Sequence, residues 1–105
     1  MLFFVNTDSE RIKFIADHYS RRNQTIKVLE ELAELQQAIC KLHNSSENGE
    51  ILNKQIPLKD NVREEIADVV IMLNQLLYLH NIDEAHIVNL INFKLDRQLE
   101  RIENE

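Results

Sequence analysis

A chain of 105 residues carries enough material for one domain and too little for two. Hydrophobic residues make up 44% and charged residues 29%, while one Gly and one Pro leave too little punctuation for a β-sandwich, a collagen-like repeat or a Gly-rich nucleotide loop. Twelve basic residues against 18 acidic ones give a net charge of −6, which argues against a nucleic-acid clamp or an anionic-membrane binder as the main role. No apolar run approaches the roughly 20 residues that cross a bilayer. The longest, from Val69 to Leu79, is interrupted by Asn74 and Gln75. The opening Met1-Leu2-Phe3-Phe4-Val5 lacks a basic region and a small-residue cleavage site, and the single Cys40 has no partner for an internal disulfide. The expected compartment is the cytoplasm.

The composition and patterning predict an all-α domain of four helices, over residues 9–21, 23–43, 60–80 and 83–104. Thr7 and Glu10 have capping-box spacing ahead of the first, whose apolar stripe is Ile12, Ile15, Ala16 and Tyr19. Asn23 is a candidate N-cap for the second. Asn44, Ser45, Ser46, Asn48, Gly49 and Pro57 mark residues 44–59 as a loop. The third helix begins near Asp60. The fourth begins near Asp83 and carries Ile87, Leu90, Ile91, Leu95, Leu99 and Ile102 along one face. No linker divides the chain.

An internal echo runs through the two central helices. Val28-Leu29-Glu30-Glu31-Leu32-Ala33-Glu34-Leu35 recurs 34 residues later as Val62-Arg63-Glu64-Glu65-Ile66-Ala67-Asp68-Val69, with four of eight positions identical. Val28, Leu32, Leu35, Ile39 and Leu42 step by four and three, the spacing of a core seam, and Val62, Ile66, Val69, Leu73 and Leu76 step identically. One residue back lies a second stripe: Lys27, Glu31, Glu34, Ala38 and Lys41 on one helix, Asn61, Glu65, Asp68, Met72 and Gln75 on the other. Each helix thus holds two carboxylates one turn apart on the shoulder of its seam.

Asp68 precedes Val69-Val70-Ile71-Met72-Leu73, on a helix apolar around most of its circumference. A carboxylate buried there is costly unless paired, protonated or bound to a cation, and crowding Glu31, Glu34, Glu65 and Asp68 adds like-charge repulsion. No set of Arg or Lys of comparable size shares the stripes, so a divalent cation is the direct solution. Oxygen-only ligands favour Mg²⁺, Mn²⁺ or Ca²⁺ over zinc. The competing account, a solvated acidic helix face, is weakened by the duplication and the apolar run. Di-iron bundles need Glu-x-x-His on two helices, and only Asp83-Glu84-Ala85-His86 approaches that spacing; Asp83 as an N-cap explains it. His18, His43 and His80 have no partner at ligand spacing, and Cys40 has no neighbouring His to make it a nucleophile.

These residues resemble a known family. Glu31-x-x-Glu34 followed by Glu65-x-x-Asp68, each pair preceded by another Glu, is similar to the all-α, MazG-like nucleoside triphosphate pyrophosphohydrolases. His18-Tyr19 and Asn23-Gln24 before the Leu29–Leu35 run look like that family's first two helices. Asp68 to Leu73 looks like its third, and Lys94-Leu95-Asp96-Arg97 like the basic stretch of its last. The spacing between Glu34 and Glu65 is longer than in the pattern, and no tryptophan or aromatic cluster marks a base pocket.

The resemblance implies a single MazG-like domain, a four- to five-helix bundle completed by oligomerisation as a dimer or tetramer. The many-sided apolar third helix also favours a partner, because a short chain has limited core to bury. It further implies Mg²⁺-dependent hydrolysis of a nucleoside triphosphate between its α and β phosphates, giving a monophosphate and pyrophosphate. Glu31, Glu34, Glu65 and Asp68 are the expected Mg²⁺ (or Mn²⁺) ligands. Glu30 and Glu64, on adjacent faces, are expected to support the ligands or activate water. Gln24, Lys27, Lys94 and Arg97 are the expected substrate contacts, with Asn23 as either a base contact or a cap. Two alternatives stand beside this: a specialised relative acting on phosphoribosyl-ATP or a single deoxynucleotide, and a non-catalytic helical interaction protein.

Overall fold

The computed structural model describes residues 9–47 and 52–105. Among these the chain is helical and contains no strand: α1 (Ser9–His18), α2 (Arg21–Glu47), α3 (Leu52–Leu79) and α4 (Glu84–Glu103). Thr7, and with it the predicted capping box, lies outside the described residues.

The helix ends follow local chemistry. Asn23 does not cap α2. Ser20 does, its Oγ accepting from the Asn23 backbone N–H at 3.0 Å, which ends α1 before residue 21 and starts α2 at Arg21. At the far end of α3, Asn81 adopts φ 52°, and the N–H groups of Ile82 and Asn81 donate back to the carbonyls of Leu77 and Tyr78. This closes the helix with a left-handed residue, a conformation Asn tolerates better than most residues. Asp83 caps α4 as its sequence suggests, Oδ1 accepting from Ala85 N–H at 3.0 Å.

The predicted 44–59 loop is much shorter than expected. Helix α2 runs through Asn44, Ser45 and Ser46 to Glu47, and α3 begins at Leu52 and includes Pro57. Packing overrides the polar, turn-forming composition: Ser45 is buried and Leu58 half-buried where the two helices continue to face each other. Pro57 lies inside α3, in its second turn, and the helix continues through it despite the N–H that proline lacks.

Helices α2 and α3 form an antiparallel pair. Contacts of Thr25 with His80 and Gln24 with Gln75 fix one end, and Glu31 meets Glu65 and Asp68 further along. At 27 and 28 residues the two are each about 40 Å long. The buried positions of α2 are Gln24, Val28, Glu31, Ala38 and Ser45, with Leu35 and Leu42 half-buried between them. On α3 the inward row is Leu58, Val62, Glu65, Val69, Met72 and Leu76, with Gln75 buried beside it.

The seam is therefore rotated from the predicted one toward the acidic stripe. Leu32, Ile39 and Ile66, expected in the core, are exposed, and Glu31, Ala38, Glu65, Met72 and Gln75 turn inward. Two stripes of the same period lie side by side on each helix, and α1 packs on the acidic flank. Its buried Ile12 and Ala16 face the pair, and Tyr78 Oη donates to the Asp17 carboxylate at 2.8 Å with Lys13 Nζ 5.8 Å from the same ring. With α1 there, the acidic side is partly covered, and Leu32, Ile39 and Ile66 on the other side are exposed. Among the described residues, helix α4 makes only slight contact with the other helices and has no fully buried residue.

Candidate metal centre

Three of the four predicted ligands come together where α2 and α3 face each other, and Glu34 is exposed beside them. Oxygens of Glu31, Glu65 and Asp68 lie within 4.8 Å of one another. Glu34 adjoins Glu65, and its charge bears on the Glu65 carboxyl. The i, i+3 spacing on each helix sets two carboxylates on one side of a turn, and the antiparallel pairing brings the two turns together. Asp68, expected to be the buried member, is exposed. Glu31 is the buried one, at 7% exposure, because the seam turned toward it.

The electrostatics are unresolved within the protein. Glu31 Oε1 pairs with Lys27 Nζ at 3.3 Å, but Glu31 Oε2 and Glu65 Oε2 are buried with no hydrogen-bond partner. Burial, followed by the charges of Glu34, Asp68 and Glu31, pushes the Glu65 carboxyl above its ordinary value. The carboxylates also raise Lys27, through its hydrogen bond and charge pairing with Glu31 and its proximity to Glu30 at 3.6 Å. One lysine facing four carboxylates leaves a net negative centre.

That donor set fits a hard divalent cation. All ligand atoms are carboxylate oxygens, none is His or Cys, and two buried oxygens lack any other partner.

Beside the centre opens a cleft of about 450 Å³ walled by all three packed helices. Ile15 and Tyr19 come from α1, Gln24, Lys27 and Glu31 from α2, and Asp68, Ile71, Met72 and Gln75 from α3. One end is acidic and the rest largely apolar, with an amide pair in its floor: Gln24 Nε2 donates to Gln75 Oε1 at 2.6 Å. Gln75 is 1% exposed.

The remaining predicted site residues are placed as follows. Gln24 and Lys27 line the cleft. Glu30 is exposed and paired with Lys27, and Glu64 is exposed outside the group of close oxygens. Lys94 and Arg97 lie on α4, around a separate shallow surface with Gln98 and Arg101, and Arg97 stacks over Phe93 at 5.7 Å. Sequence reading gave no role to Gln75, Tyr19 or Met72. Gln75 had a usable signal, since an amide interrupting the apolar run Val69–Leu79 needs a partner once buried.

No known protein family, curated protein or solved structure matches this chain.

Proposed function

We propose that the chain is a divalent-cation-dependent phosphoanhydride hydrolase that splits nucleoside triphosphates between the α and β phosphates. The observation that carries this reading is the convergence of Glu31, Glu65 and Asp68, with Glu34 beside them and two buried oxygens unpartnered, at one end of a nucleotide-sized cleft. An acidic centre of this kind repels a triphosphate by itself. When bound, Mg²⁺ supplies neutralisation of phosphate charge and a more acidic water.

The residues of the chain divide the remaining work. Glu31 and Glu34 from α2, with Glu65 and Asp68 from α3, hold the cation from two helices, so its position is set by the rigid pair and not by a loop. Lys27, at the mouth of the cleft and already drawn toward Glu31, offers the nearest cation to a phosphate oxygen. Tyr19, Ile15, Ile71 and Met72 offer apolar surface to a base. The Gln24–Gln75 pair, with one amide group already committed by each residue, leaves an acceptor on Gln24 and a donor on Gln75 for a polar edge. Glu30 and Glu64 flank the ligands at exposed positions, where either is available as a proton acceptor.

The test is pyrophosphate release from a panel of ribo- and deoxynucleoside triphosphates with Mg²⁺, with Mn²⁺ and with EDTA. Monophosphate plus pyrophosphate, abolished by EDTA and reduced at least about 100-fold in Asp68→Asn, is the expected result. Full turnover of Asp68→Asn removes it from the centre. Silence across the panel, together with no rise in melting temperature on adding Mg²⁺, sinks the hydrolase reading.

A further inference from the structure

Helix α1 forms one wall of the cleft, and its own packing holds it there only weakly. It is 10 residues long, short of the length at which a helix persists alone in water. Only Ile12 and Ala16 of α1 are buried, and the chain passes into α2 through Tyr19 and Ser20. Yet Ile15 and Tyr19, at 41% and 52% exposure, make up half of the apolar lining of the cleft, the other half being Ile71 and Met72 of α3.

Helical spacing sorts the side chains of α1 into three strips. At about 100° per residue, Ile12 and Ala16 fall on one line, which is seated on the α2–α3 pair. Ile15 and Tyr19 fall to one side of that line, toward the cleft, and Lys13 and Asp17 fall to the other. A helix seated on one narrow strip resists rolling about its own axis only if its outer edge is tied down.

That edge is tied to α3. Tyr78 Oη donates to both carboxylate oxygens of Asp17, at 2.8 Å each, and Lys13 Nζ stands 5.8 Å from the centre of the same ring. The first is a charge-assisted hydrogen bond and the second lies at cation–π distance. The hydrogen bond to Asp17, then burial and the Asp17 charge, hold the Tyr78 hydroxyl above its ordinary pKa, so it stays a donor across neutral pH. None of these three side chains lines the cleft.

We infer that Asp17, Tyr78 and Lys13 are positioning residues, whose clasp fixes the roll of α1 and thereby holds Ile15 and Tyr19 against the base of a nucleotide in the cleft. The inference rests on the reading of that cleft as a cation-dependent nucleotide site. The acidic end is built from α2 and α3 alone, so a ligand's phosphates are held there whether or not α1 is in place. The base is held only in the fraction of chains whose α1 is correctly rolled, and affinity falls in proportion to that fraction. Loosening the clasp therefore weakens a ligand that has a base and spares one that has only phosphates.

Calorimetric binding of two probes with Mg²⁺ tests this: the non-hydrolysable α,β-methylene analogues of ATP and dUTP, and tripolyphosphate, which has no base. Tyr78→Phe and Asp17→Ala are each expected to weaken the analogues about five- to tenfold and to leave tripolyphosphate within about twofold, a modest effect because the clasp is partly exposed. The double variant should lose no more than either single one, since both remove the same bond. Asp17→Asn keeps an acceptor oxygen for Tyr78 Oη and should recover most of the affinity. Amide hydrogen exchange should quicken over residues 12–18 in the two clasp variants and stay unchanged in α2 and α3. Arg63→Gln, which breaks the exposed pair with Asp60 on α3 away from the cleft, is the control and changes neither probe. Should Tyr78→Phe fold poorly, Asp17→Ala, at an exposed position, carries the same test. Equal losses for both probes would make the clasp a support of the whole fold and overturn the inference, and additive losses in the double variant would do the same. Wild-type binding of the analogues that the clasp variants leave unchanged sinks the inference alone. A wild-type chain that binds neither probe sinks the hydrolase reading and the inference with it.

Discussion

At the scale of single residues, the centre of the molecule is a set of polar groups in places where polar groups are costly. Glu65 titrates above the ordinary carboxylate range because burial and the charges of Glu34, Asp68 and Glu31 disfavour its ionised form. The folded state therefore holds that proton more tightly than the unfolded chain does. Its contribution to stability is complete below the ordinary glutamate pKa and is lost as pH rises through the raised value. Metal-free protein is thus expected to melt higher at about pH 5 than at about pH 7 by more than Glu65→Gln does. Mg²⁺, which competes with the proton for the same oxygens, should raise the wild-type melting temperature at the higher pH and have a smaller effect at the lower. Melts in EDTA and in Mg²⁺ at both pH values check this. Identical pH dependence in wild type and Glu65→Gln would place the strain elsewhere.

The buried amide pair makes a second residue-scale test. Removing one partner leaves the other amide buried and unpaired, so Gln75→Leu should cost about 1–3 kcal/mol. Replacing both with apolar residues should cost less than Gln75→Leu alone. Urea unfolding of the two single variants and the double variant measures the difference.

At the scale of elements, the existence of all four helices and the acidic quartet of α2 and α3 were legible in the 34-residue echo and its four-and-three spacing. The orientation of the helices was not. Reading apolar residues inward put Leu32, Ile39 and Ile66 in the seam, whereas within one chain the pair turns its carboxylate stripe inward and leaves those three exposed. Two stripes of the same spacing lie side by side on each helix, and apolar spacing alone does not say which of them the pair turns inward. The extent of α2 and α3 was missed for a different reason: Asn44, Ser45, Ser46 and Pro57 have turn chemistry locally, but long-range packing of the pair keeps them helical. The α1–α2 junction was shifted because Ser20 and Asn23 are both good caps, and only the backbone shows which side chain is used. Ser20→Ala should cost about 1 kcal/mol, and Asn23→Ala, in the first turn with its side chain exposed, should cost a few tenths at most. Equal losses in denaturant titrations would return the cap to Asn23.

At the scale of the whole molecule, a small buried core must hold a chain whose surface is far larger than its mass requires. Ile12, Ala16, Val28, Ala38, Val69 and Met72 are the buried apolar residues among those described, and two of the six are alanines. Burial on that scale gives a single-chain domain little margin against conformational entropy. If a second copy supplies the rest, folding and association are one equilibrium, and stability depends on concentration. For a cooperative unit of two chains, the entropy of unfolding at the midpoint is of order 400 cal/mol/K. A tenfold rise in chain concentration adds about 1.4 kcal/mol of dissociation free energy, so the melting temperature should rise by about 3 °C for each tenfold step. Scanning calorimetry between about 5 and 500 µM resolves a shift of that size, and Ile66→Glu should melt lower and lose the dependence. A wild-type midpoint that stays fixed over that range would mean that α1–α3 carry the fold alone. The exposed aliphatic rows of α2, α3 and α4 would then need a different occupant from a second copy of the chain.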